Sequence, residues 1–100
     1  MQYDDLIRDA RNEELMPSTR VYAVFNAIST CWQSPEALMQ PPTALPERIE
    51  RSDAGLVRQL ARWAMQEAPQ GELPMTPDVA VALAERVHKA LGAKYDAAWR

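Results

Sequence analysis

No charged side chain interrupts VYAVFNAISTCWQSP, residues 21–35, although charged residues are frequent on both sides of it. At about 100° per residue along a helix, its larger apolar side chains share one broad arc. That arc consists of Val21, Val24, Phe25, Ile28, Cys31 and Trp32. The residues opposite it, Ala23, Asn26 and Thr30, are small or neutral. Because a surface helix carries charges on its far side, the pattern predicts a central helix at residues 20–32 that other helices surround.

The composition is that of one globular domain spanning residues 1–100. Hydrophobic residues make up 47% of the chain and charged residues 25%, which suits both a core and a solvated surface. β-branched residues never cluster with the period of two that a strand requires. We therefore predict an all-α fold, a compact single-domain bundle of about four to five helices around the central helix.

Helical spacing and capping signals place the elements of the first half. The first helix is predicted at residues 3–15, with Leu6, Ile7 and Ala10 facing inward. Pro17 and Ser18 then begin the central helix. A Ser-Pro-Glu start at residues 34–36 predicts a short helix to residue 40, and a stiff proline-rich connection follows at residues 41–46.

Two longer helices are predicted in the second half. Ser52 and Asp53 are the expected caps of a helix that runs to about residue 68. Its inward stripe is predicted to be Leu56, Val57, Leu60, Ala61 and Ala64. Thr76 is the expected cap of the last helix, which should end at Gly92 in the left-handed conformation, before a short helical tail. The inward face predicted for that helix is Val79, Ala80, Leu83, Val87, Ala90 and Leu91, with Val81, Ala82, Glu85 and His88 outward.

Residue patterns for catalysis and metal binding are missing from the sequence. The single cysteine, Cys31, lies in the predicted core helix, and the single histidine, His88, is predicted at the surface, so a catalytic Cys–His pair is not expected. No two His or Cys residues have the spacing of metal ligands, and the early aspartates do not form a calcium loop. The sequence therefore predicts a non-enzymatic protein without a metal, cofactor or small-molecule ligand.

The charges predict an acidic outer face on the first helix. Asp5, Asp9 and Glu13 are spaced i, i+4, i+8, which would form a ridge facing solvent. The net charge of −3 lacks the basic footprint of a protein that binds naked nucleic acid. The ridge is better suited to a basic protein surface or to a site that normally holds nucleic acid.

Binding to a protein partner has further support in the second half of the chain. Trp63 and Trp99 are candidate interface anchors, and Met65 beside Arg58 and Arg62 forms a mixed patch of residue types that are enriched at interfaces. An ordinary solvated face is the alternative explanation. Self-association through Trp63 or Trp99 is another.

A helical DNA-binding regulator is also an open alternative. The line Arg51, Arg58, Arg62 could touch phosphates, but Glu47, Glu50 and Asp53 are close enough in sequence to offset it. The loop between the last two helices is predicted to have about seven residues, whereas the turn of a helix-turn-helix usually has about three or four. The length of the loop therefore counts against that motif.

Nothing in the sequence predicts a membrane protein. The charged residues Asp4 and Asp5 predict that no signal peptide is present, and the longest apolar run is far below the ~20 residues that cross a bilayer. We expect a soluble, cytoplasmic protein whose lone cysteine makes no intrachain disulfide.

The opening MQYDDLIRDARNEEL and the segment VYAVFNAISTCW, together with the helical layout over the whole chain, resemble small phage-encoded anti-CRISPR proteins that inhibit type I-F surveillance complexes. The resemblance implies a non-enzymatic inhibitor in the cytoplasm of an infected bacterium. It also implies a partner, the Cas subunits of an RNA-guided complex, and an effect, the block of target DNA recognition. The resemblance assigns no individual residue to this role.

Overall fold

The chain folds as four helices in the computed structural model, which describes residues 2–31, 48–65 and 72–92. The helices are α1 (Tyr3–Arg11), α2 (Pro17–Ser29), α3 (Arg51–Ala64) and α4 (Pro77–Leu91). The described residues contain no strand, so the predicted all-α bundle is confirmed. None of the described helices is long and apolar enough to span a bilayer. The expected helix at residues 34–40, the connection at residues 41–46 and the tail at residues 93–100 lie outside the described residues.

The central position of α2 is confirmed, because both of its faces are buried. The apolar arc faces the core, with Val21, Val24 and Cys31 fully buried. The opposite side is covered as well, and Asn26 is only 1% exposed. α1, α3 and α4 all pack against α2. The helix begins at Pro17, where the sequence places its proline start, because a proline at the first helical position lacks only a donor that would have no partner there.

α1 is shorter than predicted and ends at Arg11 instead of residue 15. Asn12 leaves the helix with an extended backbone, φ −77° and ψ 104°. Its side-chain oxygen accepts a hydrogen bond from the backbone N–H of Glu14 at 3.0 Å. Asparagine commonly makes such local bonds, and they compete with the continuation of a helix. The predicted inward residues Leu6, Ile7 and Ala10 are buried, as expected.

The predicted caps of α3 are wrong, since the helix begins at Arg51 with Glu50 as its cap residue. Asp53 lies in the first turn, where it binds Arg86 of α4 instead of the backbone. The described helix ends at Ala64, and residue 68 is outside the described residues. Of its predicted inward stripe, only Leu56 is half-buried and the others are buried.

α4 begins as predicted at Thr76, whose hydroxyl oxygen accepts a hydrogen bond from the N–H of Val79 at 3.3 Å. The prediction is wrong for two valines of α4. Val79, predicted to face inward, is 46% exposed, whereas Val81, predicted to face outward, is buried. α4 contacts α1, α2 and α3, so its buried arc is wider than one stripe. Gly92 has the expected positive φ of 71°, but its ψ of 159° is extended rather than left-handed helical.

Candidate functional site

The outer face of α1 carries a concentration of charge on a rigid support. Leu6, Ile7 and Ala10 fix the inner side of the helix against α2 and α4. Residues 4–14 hold five carboxylates and two arginines, and these side chains occupy the solvent side. A short helix anchored by three buried side chains therefore presents an acidic surface in a fixed orientation.

Ion pairing leaves part of this acidic surface available to a partner. Asp5 pairs with Arg8 at 2.5 Å. Arg11 pairs with Glu85 of α4, which ties α1 to α4 at the surface. Among the described residues no salt bridge involves Asp4, Asp9 or Glu13. Both arginines of the segment are thus already paired with carboxylates. Asp4, Asp9 and Glu13 are carboxylates of the segment that could bind a cation from a partner.

An open groove of about 610 Å³ runs along the same face of α1. It is lined by Asp4, Ile7, Arg8, Asp9, Arg11 and Asn12. Asp4 and Asp9 are its carboxylates without an ion pair among the described residues. Arg8 and Arg11, whose guanidinium groups are already paired with carboxylates, share the lining. Carboxylates without an ion-pair partner bind the cationic heads of lysine and arginine side chains through charge-assisted hydrogen bonds. The groove therefore has the chemistry to receive a lysine or arginine side chain.

The predicted ridge Asp5, Asp9, Glu13 is only partly formed. Asp5 and Asp9 share a face of α1, but Glu13 lies in the turn after the helix because α1 ends at Arg11. The predicted ridge does not include Asp4, although Asp4 lines the groove together with Asp9. Asp4 and Asp9 are five residues apart, which is not a helical repeat. Helical periodicity therefore gives no signal that the two line one groove.

The predicted patch on α3 is divided between the surface and the core. Met65 is 54% exposed, Arg62 is exposed and Arg58 is half-buried. Trp63 is only 6% exposed, and its ring meets the edge of Tyr22 with centroids 6.3 Å apart. Trp63 is therefore a core residue and does not present an anchor to a partner. Trp99 lies outside the described residues.

Asp53 does not offset the arginines of α3 in the way the sequence suggested. Its carboxylate, with a side chain only 12% exposed, accepts three hydrogen bonds from the Arg86 guanidinium at 3.0–3.2 Å. This hydrogen bonding, largest among the causes, raises the pKa of Arg86 above its ordinary value. Within the described chain, Arg51, Arg58 and Arg62 make no salt bridge.

His88, Tyr3 and Cys31 make contacts within the helix bundle. His88 was predicted at the surface, but it is half-buried and its ring stacks on Tyr3 with centroids 3.9 Å apart. Burial raises the pKa of Tyr3 to about 12, with smaller contributions from Cys31 and Glu85. Cys31 is fully buried, as predicted, and its thiol lies 3.6 Å from the Ala27 carbonyl oxygen.

Among the described residues, no three His, Cys, Asp or Glu side chains come together in a group that could hold a metal ion.

Comparison of the chain with protein-family models, with curated proteins and with solved structures finds no match.

Proposed function

We propose that this protein is a non-enzymatic inhibitor that binds another protein through the outer face of α1. The observation that carries the proposal is the α1 groove, whose carboxylates Asp4 and Asp9 make no salt bridge among the described residues. The partner surface that fits is one rich in lysine and arginine. Such surfaces occur where proteins hold nucleic acid.

The resemblance to anti-CRISPR proteins gives this partner a specific candidate, a Cas subunit of a type I RNA-guided surveillance complex. The acidic groove binds basic side chains that would otherwise hold target DNA, and DNA recognition is blocked by competition. The site of action is then the cytoplasm of an infected bacterium. Association of oppositely charged surfaces is fast and weakens as salt rises.

The supporting architecture suits binding rather than catalysis. An inhibitor of this kind needs a rigid frame and a complementary surface. Arg20 of α2 holds the end of α1 through a hydrogen bond from its Nε to the Ala10 carbonyl oxygen at 2.8 Å. Because α1 is fixed in this way, little ordering of the backbone is needed when the partner binds.

The decisive experiment measures binding of the purified protein to an assembled type I surveillance complex. A double reversal, Asp4→Lys with Asp9→Lys, should weaken binding by at least about tenfold, or ~1.4 kcal/mol. Glu50→Lys with Glu72→Lys is the matched control, because it changes the net charge equally at exposed residues outside α1. The control should bind like the parent protein, and target DNA should compete with the parent protein for the complex.

Two results would count against the proposal. Equal weakening by both double variants would mean that net charge, and not the α1 groove, governs binding. Failure of the parent protein to bind the complex would reject the Cas partner. A salt-insensitive dimer in place of that binding would favour the self-associating alternative.

A further inference from the structure

α3 presents a row of arginines on the side of the molecule that the proposed α1 interface does not use. Arg51, Arg58 and Arg62 lie at i, i+7 and i+11, so they fall within about 40° of one line along the helix. The row is about 16 Å long at 1.5 Å per residue. Arg51 and Arg62 are exposed, and Arg58 is half-buried.

The positive charge of this row is not neutralised by described neighbours. The one carboxylate inside α3, that of Asp53, is held by Arg86 of α4. Residues 48–65 contain four arginines and two carboxylates, and the second carboxylate, Glu50, is at the helix start. The first 16 residues have the opposite balance. Charge is thus segregated between two elements of the molecule although the whole chain is net acidic.

The described residues leave the helix surface beside the row open at Gly55. A Cβ atom added at Gly55, between Arg51 and Arg58, would meet nothing within 4 Å. Met65 is 54% exposed one turn beyond Arg62, and it is the only large apolar side chain on the described line of the row. Within the described part of the chain, a ligand can therefore approach α3 closely beside Gly55, between the first two arginines of the row.

We propose that the α3 arginine row, Arg51, Arg58 and Arg62, binds the phosphate backbone of a single-stranded nucleic acid. Guanidinium groups suit phosphate because their planar donors make paired hydrogen bonds to its oxygens. A single strand is flexible and can follow a straight row, whereas the backbone of a duplex curves away from it.

The alternative ligand, an acidic protein segment, fits the row less well. Protein interfaces usually have a desolvated apolar centre that supplies most of the affinity. The described row offers only Met65 for that purpose, and Trp63 is buried. Phosphate-backbone binding needs no such centre, because the release of counterions supplies the favourable free energy. The inference is independent of the partner proposed for α1 and is tested on the protein alone.

The test is fluorescence anisotropy with labelled single-stranded RNA and DNA oligonucleotides of mixed sequence, with a duplex of the same sequence and poly-glutamate as comparisons. Three phosphate contacts predict a slope of about −2 for log K against log salt, so affinity should fall about 20-fold between about 50 and about 200 mM salt. Comparison of the RNA and DNA arms identifies which backbone is preferred.

A triple variant, Arg51→Gln, Arg58→Gln and Arg62→Gln, should abolish most of that affinity and flatten the salt slope. The matched control changes Arg8, Arg11 and Lys89 to Gln, which removes the same charge at exposed residues of α1 and α4. It should bind within about threefold of the parent, because charges beyond the Debye length are screened. Circular dichroism of both triples verifies that each is folded.

Several outcomes would overturn the proposal. The first is that the protein binds neither single strand at low salt, and the second is that the two triple variants lose equal affinity for them. Tighter binding of the duplex than of the single strands, or binding of poly-glutamate as tight as that of the single strands, would overturn it as well.

Discussion

Arg20, which is partly exposed, should contribute strongly to the stability of the fold, because it connects the end of α1 to the start of α2. Its Nε donates a hydrogen bond to the Ala10 carbonyl oxygen at 2.8 Å, and its side chain is only 14% exposed. The Ala10 carbonyl is one of the last four in α1, which have no partner inside the helix. A positive charge at this helix end also interacts favourably with the helix dipole.

The expected cost of losing this bond follows from its charge and its burial. Hydrogen bonds to charged groups contribute about 1.5–3 kcal/mol. Arg20→Met retains the apolar stem and removes the donor, so it should lower the free energy of unfolding by about 2 kcal/mol, with the melting temperature falling by about 8–16 °C. The second contact of Arg20 is weaker: its guanidinium lies 3.8 Å from the Asp78 carboxylate, which is 98% exposed. Asp78→Asn should therefore cost less than about 1 kcal/mol.

Urea unfolding followed by far-ultraviolet circular dichroism measures both variants against the parent. The reasoning requires a clear difference between them, with Arg20→Met more destabilised. A cost below about 0.5 kcal/mol for Arg20→Met, or equal costs for the two variants, would refute the assignment of Arg20 as the partner of the α1 terminus.

Three further predictions concern the pH dependence of stability and the two glycines at positions 55 and 92. Because the pKa of Tyr3 is about 12 in the folded protein and 10.0 otherwise, the unfolded chain loses this proton first as pH rises. Stability contributed by Tyr3 is therefore present below pH 10 and declines above it by up to about 1.4 kcal/mol per pH unit. Urea unfolding at alkaline pH should show a steeper decline in the free energy of unfolding for the parent than for Tyr3→Phe. Parallel declines would contradict this expectation. Gly55→Ala should raise the free energy of unfolding by about 0.5–1 kcal/mol, because the added Cβ meets no atom and the residue is within a helix. Gly92→Ala should lower the free energy of unfolding by about 1–3 kcal/mol, because a φ of 71° with a ψ of 159° is a backbone conformation open essentially only to glycine. Thermal unfolding that ranked the two variants in the reverse order would contradict both expectations.

The central helix was predictable from the sequence because its signal does not depend on knowing the partners. An uncharged stretch must be buried on all sides, whichever helices surround it. The start of α4 was predictable for a similar reason, since the Thr76 cap acts within four residues. Local chemistry and burial therefore determined the elements that the sequence identified correctly.

The errors arise where a side chain has a choice that tertiary structure decides. Asp53 has the residue type of a helix cap, but Arg86, 33 residues away, provides a stronger partner. His88 has the pattern of a surface residue until α1 brings Tyr3 against its ring. The end of α1 is a local exception, because Asn12 makes a turn that a purely periodic pattern does not register.

The candidate surfaces depended still more on tertiary contacts. Sequence identifies which charges exist but not which are neutralised. Arg8 is engaged by Asp5 and Arg11 by Glu85, 74 residues away, and this leaves Asp9 without either arginine of its segment. The same logic applied to Asp53 leaves the α3 arginines unopposed. Sequence reasoning therefore identifies the candidate charged residues on α1 and α3, and the pairing pattern shows which of them make no salt bridge among the described residues.

The arrangement of the helices explains how one small acidic chain can carry two surfaces of opposite sign. α2 and α4 each pack against both α1 and α3, and α1 and α3 share at most marginal contact. With interaxial distances of about 8–10 Å for each packed pair, the outer faces of α1 and α3 are separated by more than one Debye length, about 8 Å at physiological salt. Each surface then acts on a ligand largely as if the other were absent. Net charge alone therefore understates the positive charge that α3 presents, and under the two proposals variants of the two faces should affect their ligands independently.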